Sequence, residues 1–590
     1  MVRRGKYRYG SRSVIGISVS ALSIVLLAGC GGGGDSGTAS TGSSGSGSGT
    51  AGTGGSGSNP VPEKRASVSG KVTYDYVPTA FGTTAEGVRS ARLDYAKTEK
   101  RAVRRARVEV VSEDGKSVIG TGMTDDAGAY AIDLPAGVRV YIRVMSQVSD
   151  GPADTPDYLV RVRDNTAPEF KTSPASAPLY AMRGSVILTK AGGTQIDMNA
   201  GSGWTGSGYG AVRAAAPFAI LDQIVTASQK LHRAAPAVKL PALDVFWSPR
   251  NRPAQGDVAD GLIQTSHYMP DAAKKGIYLL GAQNVDTDEY DASVIVHEYG
   301  HYLEANVSRS DSVGGLHSIG NALDMRVAFG EAWGNAFSSM VRDTPDYADT
   351  QGPLQAGAGL VMKLDELEKG ATPGWFDESA VGRFLYSLYV SPDIGFHAIY
   401  QTMIDGQKRT PALTSVFSFA TALRAGLSDA GKAKLDALLD DMRVQAGPQL
   451  DAWGTQTRFY DPALINPAIF PVYVPIKPGA SATSCTTTQL GVGNKLGNYG
   501  HLRITVPTAG KYEIAVTPPP GVDMSDVGTR VFAYGNELPD LLGAKGRRVT
   551  EFPAAGDYVA DVALSANLDE AGTPGAAPQC VGVSMQAVSQ

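Results

Sequence analysis

The chain carries no excess of positive charge, and it contains few histidines and cysteines. Its 590 residues include seven histidines and three cysteines, and its formal net charge is −5 at pH 7. Proteins that bind nucleic acid usually have a basic balance or a basic patch, so we expect no nucleic acid among the partners of this chain. Because histidine is scarce, a defined spacing between two histidines seldom arises by chance.

The apolar run at residues 14–28 is too short for a comfortable membrane span. Five basic residues precede the run, and together they have the pattern of a secretory signal at residues 1–29. The run ends in the tetrapeptide LAGC, which resembles a bacterial lipobox. The resemblance implies that Cys30 is lipidated and anchors the mature chain in the bacterial cell envelope. Gly31 after it resembles the outer-membrane class, and a plain signal peptide or an uncleaved anchor remains the alternative.

Residues 31–58 consist almost wholly of glycine, serine, threonine and alanine, which cannot form a hydrophobic core. We therefore expect residues 30–64 to be a lipidated, flexible linker that holds the folded part off the membrane. Cleavage before Cys30 would remove five positive charges and leave 48 basic against 58 acidic residues. This balance argues further against a nucleic-acid partner.

The remaining chain, about 525 residues, is too long for one hydrophobic core and is expected to form three domains. We predict a multidomain fold in which an α+β catalytic domain is flanked by two all-β sandwich domains. The first sandwich and a connector occupy residues 65–204, the catalytic domain residues 205–466, and the second sandwich residues 467–590.

Alternating apolar and polar residues support the first sandwich. Its predicted strands are Ser67–Tyr76, Arg105–Val111, Ser117–Thr121, Ala129–Leu134 and Val138–Val144. The phrase TDDAGAYAIDLPAG resembles the carboxypeptidase regulatory-like domain, which implies a small prealbumin-type sandwich. A helical period follows at Pro217–His232, and further helices are predicted at Ser379–Tyr389 and Asp429–Arg443.

The C-terminal region returns to β patterns at residues 502–506, 511–516 and 558–564. It resembles the β-sandwich domains appended to secreted bacterial peptidases. Cys485 and Cys580 both lie in this region, and in an oxidising envelope we expect them to form a disulfide bond.

His297, Glu298 and His301 form an HExxH motif, HEYGH, which is the strongest indication of chemistry in the chain. On a helix, histidines at i and i+4 lie on one face and can bind one metal ion, while the glutamate is offset toward a metal-bound water. A strand is predicted before the motif at residues 276–282, and the acidic residues at 286–291 favour a helix start near residue 288. Those acidic residues could also bind calcium, although they lack the spacing of an EF-hand.

A catalytic zinc site usually has a third protein ligand. The metzincin pattern would require a histidine where this chain has Val307, so that pattern is excluded. The better candidate is Glu331 in the sequence GEAWGN, which is predicted to lie on a second helix. His317, in the loop between the two motifs, is the alternative ligand.

HEYGH followed about thirty residues later by GEAWGN resembles the gluzincin zinc metallopeptidases, and most closely the thermolysin-like and fungalysin-like enzymes. The resemblance implies that His297, His301 and Glu331 bind one Zn²⁺ and that Glu298 is the general base. It also implies an α+β zincin fold for the catalytic domain.

One position departs from the pattern of these families. They place an aspartate four residues after the ligand glutamate, where it holds a zinc-bound histidine, whereas this chain has Asn335. An amide oxygen can still accept the imidazole N–H, but it carries no charge and should raise the basicity of the ligand less. Asp324 and Asp291 are further candidates for the partner of a zinc-bound histidine.

The expected activity is zinc-dependent hydrolysis of peptide bonds in extracellular or envelope proteins. No motif selects the group that stabilises the oxyanion among His317, Tyr386, Tyr389 and His397. The strand at residues 276–282 could present its edge to an extended peptide. Two alternatives stay open: a zinc hydrolase of non-peptide amides, and a weak or inactive zincin that serves as a surface binding lipoprotein.

Overall fold

The computed structural model describes residues 26–28, 65–356, 359–457, 464–575 and 577–588, and β-sheets make up much of this multidomain chain. Residues 1–25 and 29 of the predicted signal at residues 1–29, Cys30 and the linker lie outside these ranges. Leu26–Ala28 forms a short strand antiparallel to Gly315–His317. Within the described ranges, no helix is both long enough and apolar enough to cross a membrane.

The first β region is built around one long strand, Arg65–Tyr76. Val68, Val72 and Tyr74 lie at alternate positions of this strand and are fully buried, so one face of it covers the core. Its partners are Ala129–Pro135 and Glu99–Ala102, both antiparallel, and Thr194–Gln195 and Met198–Ala200, both parallel. Thr79–Thr83 and Arg89–Leu93 form a separate pair.

A nine-stranded sheet connects the first β region to the helical region. Its main path runs in the order His267–Met269, Gly276–Leu279, Leu243–Trp247, Tyr158–Arg163, Arg139–Asp150, Ala106–Ser112 and Val118–Met123, and Ala181–Arg183 and Ile187–Leu188 also pair with Arg139–Asp150. The two regions meet where Tyr158–Arg163 pairs in parallel with Leu243–Trp247.

The predicted domain boundary at residue 204 does not coincide with a break in this sheet. One hydrophobic core also continues across it, from Val68 to Leu439 and beyond. The physical reason is the strand Arg139–Asp150, whose twelve residues extend well past the predicted end at Val144. The added length lets the strand pair with Tyr158–Arg163, which carries the sheet into the helical region.

The helical region contains the predicted helices close to their predicted bounds. Its helices are α1 (Ala216–Ala234), α2 (Ala292–Asn306), α3 (Met325–Arg342), α4 (Glu378–Tyr389), α5 (Gly395–Gln401), α6 (Val416–Gly426) and α7 (Asp429–Asp441). Pro217 lies in the first turn of α1, where a missing N–H is tolerated. Ser428 caps α7, because its side chain accepts the N–H of Gly431.

α2 begins later than predicted. Asp288–Tyr290 forms a single 3₁₀ turn, and the α-helix starts at Ala292 rather than near residue 288. The carboxylate that could cap it is engaged elsewhere, since Asp291 accepts the backbone N–H of Thr350 at 2.7 Å and its hydroxyl at 2.8 Å. The Asp291 side chain therefore binds Thr350 and makes no capping hydrogen bond to α2.

Two short hairpins flank α2 and α3. One pairs Gly281–Ala282 with Asp286–Thr287 before α2, and the other pairs Asp346–Asp349 with Leu360–Lys363 after α3. The N–H of Gly352 donates to the carbonyl of Val285 at 2.8 Å, so the two hairpins lie side by side.

Two mainly antiparallel sheets form the C-terminal sandwich, and a separate hydrophobic core lies between them. The first contains Tyr473–Ile476, Tyr499–Val506, Gly556–Leu564, Val527–Ala533 and Asn536–Glu537, and the second contains Ala480–Thr486, Gln579–Ala587, Gly510–Thr517 and Arg547–Phe552. A short helix, α8, spans Ser565–Leu568. Cys485 and Cys580 face each other on neighbouring strands and form a disulfide bond.

Candidate metal centre

The helices that carry the two motifs, α2 and α3, pack closely because two glycines meet between them. A Cβ atom on Gly300 would lie 3.2 Å from the Cα of Gly334, and one on Gly334 would lie 2.7 Å from Cε1 of His297. The indole N–H of Trp333 donates to the carbonyl of Gly300 at 3.0 Å and holds the helices together. This close approach brings Glu331 of α3 to the histidines of α2.

His297, His301 and Glu331 converge, and their ligand atoms all lie within 4.8 Å of one another. The two histidine Nε2 atoms are 3.0 Å apart, and Oε2 of Glu331 lies 3.5 Å from the first and 3.4 Å from the second. Tetrahedral zinc with bonds of about 2.0–2.1 Å separates its ligand atoms by about 3.3–3.4 Å. Two imidazole nitrogens and one carboxylate oxygen at these distances therefore fit a single divalent ion such as zinc.

Asn335 holds one of the two histidines. Its amide oxygen Oδ1 lies 2.9 Å from Nδ1 of His297 and accepts the ring N–H. The proton on Nδ1 leaves the Nε2 lone pair directed at His301 and Glu331, which is the tautomer that a metal ligand needs. Asn335 is itself buried, so this hydrogen bond is shielded from water.

Asp324 and Asp291, the other candidates for this role, have different partners. Asp324 caps α3 by accepting the N–H of Arg326, and it also forms ion pairs with the side chains of Arg326 and His501. Asp291 is held by Thr350, as described above. Asn335, four residues after Glu331, supplies the partner of His297, and neither aspartate does so.

Glu298 is buried beside the cluster and is only 4 % exposed. Burial raises the pKa of its carboxyl group to about 8; the charge of Glu331 raises it as well, while His297 lowers it. A backbone hydrogen bond from Tyr268 partly stabilises the carboxylate. Its Oε2 atom has no hydrogen-bond partner within the described ranges, so one oxygen is available to a water or a substrate.

His317 is the residue that sequence reasoning could not place. Its Nε2 lies 3.4 Å from Oε2 of Glu331, and its Nδ1 lies 2.8 Å from Oε2 of Glu378 at the start of α4. Burial alone would lower its pKa, but the carboxylates of Glu331 and Glu378 raise the pKa to about 9. His317 does not belong to the compact group of three ligand atoms, so it lies beside the centre.

The other three candidates for the oxyanion donor lie elsewhere. The hydroxyl of Tyr389 donates to Asp343, and its ring packs at a tilted angle against the ring of Tyr386. His397 is exposed and its Nδ1 lies 3.0 Å from the carbonyl oxygen of Ala234. Of the four, His317 is the one that contacts a ligand of the centre.

The strand predicted at residues 276–282 is not an edge strand. Gly276–Leu279 pairs on one side with Leu243–Trp247 and on the other with His267–Met269. His267–Met269 therefore ends the sheet, and it is also the strand whose Tyr268 backbone contacts Glu298. The prediction that residues 276–282 offer a free edge to a peptide is therefore wrong. The edge strand is the neighbouring strand, His267–Met269.

No protein-family model and no curated protein matches the chain. Among solved structures, the pre-peptidase C-terminal domain of collagenase from Bacillus anthracis is similar over 19 % of this chain and 94 % of its own, with 11 % identity and a TM-score of 0.14. PliG from Aeromonas hydrophila, a periplasmic lysozyme inhibitor, is similar over 19 % of this chain and 97 % of its own, with 18 % identity and a TM-score of 0.13. A 9R-lipoxygenase from Cyanothece covers 31 % of this chain and 25 % of its own, with 11 % identity and a TM-score of 0.11. These likenesses are too weak to assign a family or an activity.

Proposed function

We propose that the chain is a zinc-dependent endopeptidase of gluzincin type that hydrolyses peptide bonds of extracellular or envelope proteins. The observation that carries the proposal is the convergence of His297, His301 and Glu331 with Glu298 buried beside them. Two imidazoles, a carboxylate and an adjacent glutamate are the groups that a mononuclear zinc hydrolase requires. In this proposal the helical region is the α+β zincin domain.

Zinc, when bound by these three side chains, supplies a Lewis acid for the substrate carbonyl and lowers the pKa of water. Glu298 accepts a proton from the attacking water and then passes it to the leaving amine as the C–N bond breaks. Its carboxyl group is buried beside the centre, and one of its oxygens has no hydrogen-bond partner among the described residues, so that oxygen is available for this exchange. Asn335 keeps the ring of His297 oriented throughout.

His317 is the best candidate for stabilising the oxyanion. Glu378 holds its Nδ1, so the opposite ring nitrogen faces the centre at a fixed position. In the protonated state, Nε2–H can donate to the negative charge that develops on the carbonyl oxygen. The end strand His267–Met269 is positioned to pair with an extended peptide beside Glu298.

The test compares the wild type with Glu298→Gln by metal analysis and by cleavage of casein. We expect about one zinc per chain in both proteins, with cleavage by the wild type that a chelator abolishes and cleavage lost in the variant. A wild type that binds no zinc at neutral pH would contradict the proposal.

Two observations favour a second candidate, a zincin that binds rather than cleaves. Asn335 replaces a charged partner, and the side chains of the centre are almost completely buried. Zinc bound by the wild type without cleavage of casein, gelatin or peptidoglycan amides would favour this candidate. Cleavage of the peptidoglycan amides alone would instead indicate a hydrolase of non-peptide substrates.

We further propose that Cys30 is lipidated and anchors the chain in the envelope, in the outer membrane. The lipobox-like LAGC sequence and the linker after it support this location. Replacing Cys30 by serine should move the mature protein from the membrane fraction to the soluble fraction. An unchanged distribution would argue for a different anchor.

A further inference from the structure

One loop of the C-terminal sandwich, residues 494–498, contacts the helical region beside the histidine centre. The N–H of Asp324, which caps α3, donates to the carbonyl of Asn494 at 2.8 Å, and the N–H of Leu496 donates to the carbonyl of Ala322 at 3.0 Å. The loop is itself rigid, because the buried side chain of Asn498 accepts the N–H of Lys495 at 2.7 Å. It therefore has a fixed position at the start of the helix that carries Glu331.

Two side chains of this loop hold the segment that leads to His317. Nδ2 of Asn494 donates to the carbonyl of Gly314 at 2.8 Å, and Nζ of Lys495 donates to the carbonyl of Leu316 at 2.6 Å. The lysine also donates to Oδ1 of Asn494 at 2.6 Å, so the two side chains support each other. A hydrogen bond from an ammonium group is stronger than one between neutral groups. The sandwich thus fixes two successive carbonyls on one side of the segment.

The held segment has little rigidity of its own. Gly314 and Gly315 have positive φ angles of 62° and 98°, and consecutive glycines lose more conformational freedom on ordering than other residues do. The contacts from Asn494 and Lys495 offset that loss. Without them, the strand Gly315–His317 would have to be ordered each time a ligand binds to it.

The opposite side of the strand Gly315–His317 faces away from the loop. Neighbouring residues of a strand direct their backbone groups to opposite edges. Since the carbonyls of Gly314 and Leu316 are directed at the loop, the backbone groups of Gly315 and His317 face the other way. This edge lies beside the centre, because Nε2 of His317 is 3.4 Å from Oε2 of Glu331.

An extended segment of the chain occupies this edge. Leu26–Ala28 pairs antiparallel with the strand, in the register Leu26 with His317, Leu27 with Leu316 and Ala28 with Gly315. Its Cα atoms also come within 8 Å of those of His267–Met269, so the segment lies in a cleft between two strands. It precedes Cys30, the proposed lipidation site, and cleavage there would remove it and free the edge.

We propose that the strand Gly315–His317 binds the backbone of an extended peptide in antiparallel orientation, and that Asn494 and Lys495 of the C-terminal sandwich position that strand. The inference rests on the proposed peptidase function, for which it names a second wall of the substrate cleft opposite His267–Met269. The sandwich is then part of the binding cleft and not a separate appendage. Neither Asn494 nor Lys495 contacts the reacting atoms, so both are positioning residues.

The experiment uses the mature chain saturated with zinc. Binding is measured in the Glu298→Gln background by fluorescence polarisation of a labelled peptide, IVLLAG, which has the sequence of residues 24–29 and carries a lysine at each end for solubility. Turnover is measured with casein in the catalytically intact chain. We expect Lys495→Met to raise the peptide Kd and the KM for casein at least about fivefold, with kcat and zinc content within about twofold of the wild type.

Two further variants separate positioning from folding. Lys495→Arg keeps a cationic donor and should restore most of the affinity. Lys511→Met changes an exposed lysine of the same sandwich and should leave Kd, KM and kcat unchanged.

A second measurement tests the strand directly. Because the carbonyl of Leu316 is directed at Lys495, the paired position 27 faces away from the strand, whereas positions 26 and 28 exchange hydrogen bonds with it. Methylation of the peptide amides at positions 26 and 28 should therefore weaken binding more than methylation at position 27.

The proposal is overturned if Lys495→Met binds the peptide as tightly as the parent chain, if it lowers kcat and zinc content together with affinity, or if methylation has the same effect at all three positions. The outcomes also separate this proposal from the peptidase function. Cleavage of casein with an unchanged peptide Kd in Lys495→Met contradicts the present inference alone. Weakened peptide binding in Lys495→Met, with no cleavage by the wild type, contradicts the peptidase function alone.

Discussion

Arg326 and Asp561 form a buried ion pair, with Nη1 of the arginine 2.7 Å from Oδ2 of the aspartate. Arg326 lies in the first turn of α3, whereas Asp561 lies in the C-terminal sandwich, so the pair joins the helix of Glu331 to that sandwich. Asp324 and His501 extend the pair into a network in which each side chain is less than a tenth exposed.

Asp561→Ala should destabilise the protein by about 3–5 kcal/mol, because Arg326 would keep a buried charge with one partner removed. Urea denaturation followed by circular dichroism measures the loss. Asp557→Ala is the matched control on the same strand, since Asp557 pairs with the partly exposed Arg503 and should cost no more than about 1 kcal/mol. Equal losses of stability in the two variants would show that the buried network contributes no more than the partly exposed pair of Asp557 and Arg503.

The same network predicts loss of stability in acid. Burial would raise the pKa of Asp324 and Asp561, but the charge of Arg326, aided by His501, holds the pKa of both well below the ordinary value of 3.8. Because their folded-state pKa is lowered, their contribution is present above pH 3.8 and disappears as the pH falls through the folded-state values.

The pKa of His501 is shifted in the opposite direction, so its contribution to stability has the opposite pH dependence. Burial would lower its pKa, but Asp561 and Asp324 raise it above 6.5, so its contribution is complete below that pH and is lost as the pH rises through the raised value. We therefore expect the stability difference between wild type and Asp561→Asn to be largest between about pH 4 and 6.5 and to shrink on both sides. A difference independent of pH would contradict this assignment.

Gly334→Ala should damage the histidine centre, because the new methyl group would lie 2.7 Å from Cε1 and 2.8 Å from Nδ1 of His297. Overpacking of this kind costs about 1–3 kcal/mol, and zinc content should fall with it. Gly330→Ala on the same helix is the control, since its nearest neighbour, Oε2 of Glu304, is 3.4 Å away. Metal analysis of both variants tests this prediction. Normal zinc content in Gly334→Ala would argue against the close contact between Gly334 and the ring of His297.

Asn335→Ala should weaken zinc binding by about 10–100-fold, because Nδ1–H of His297 would lose its acceptor. Asn335→Asp should bind zinc at least as tightly as the wild type, since a carboxylate accepts the same hydrogen bond and adds a charge. Competition with a chromogenic chelator measures both affinities. If alanine has no effect, His297 is not held by this contact.

Local sequence patterns predicted the parts of the centre that lie on single helices. The spacing of His297 and His301 encodes their shared face, and the four-residue step from Glu331 to Asn335 likewise places both on one side of α3. No role could be assigned to His317 from the sequence, because its position depends on the short strand Gly315–His317 and on Glu378, which is distant in sequence.

Predictions that depended on neighbours in space were the less accurate ones. The acidic residues at 286–291 favoured a helix start, but Ser266 and Thr350 bind two of their carboxylates and the helix begins later. The predicted boundary at residue 204 rests on a change in pattern along the chain, and such a pattern carries no information on the pairing of Tyr158–Arg163 with Leu243–Trp247. Periodicity gives the type of an element and not its partners.

The continuous nine-stranded sheet also determines how the chain can be divided. A fragment beginning at residue 205 would lack Tyr158–Arg163 and would expose the buried strand Leu243–Trp247 along its whole edge. An exposed apolar edge is a template for pairing with other chains, so such a fragment should aggregate. A soluble fragment that contains the histidine centre must therefore begin near residue 65 and carry the first β region with it.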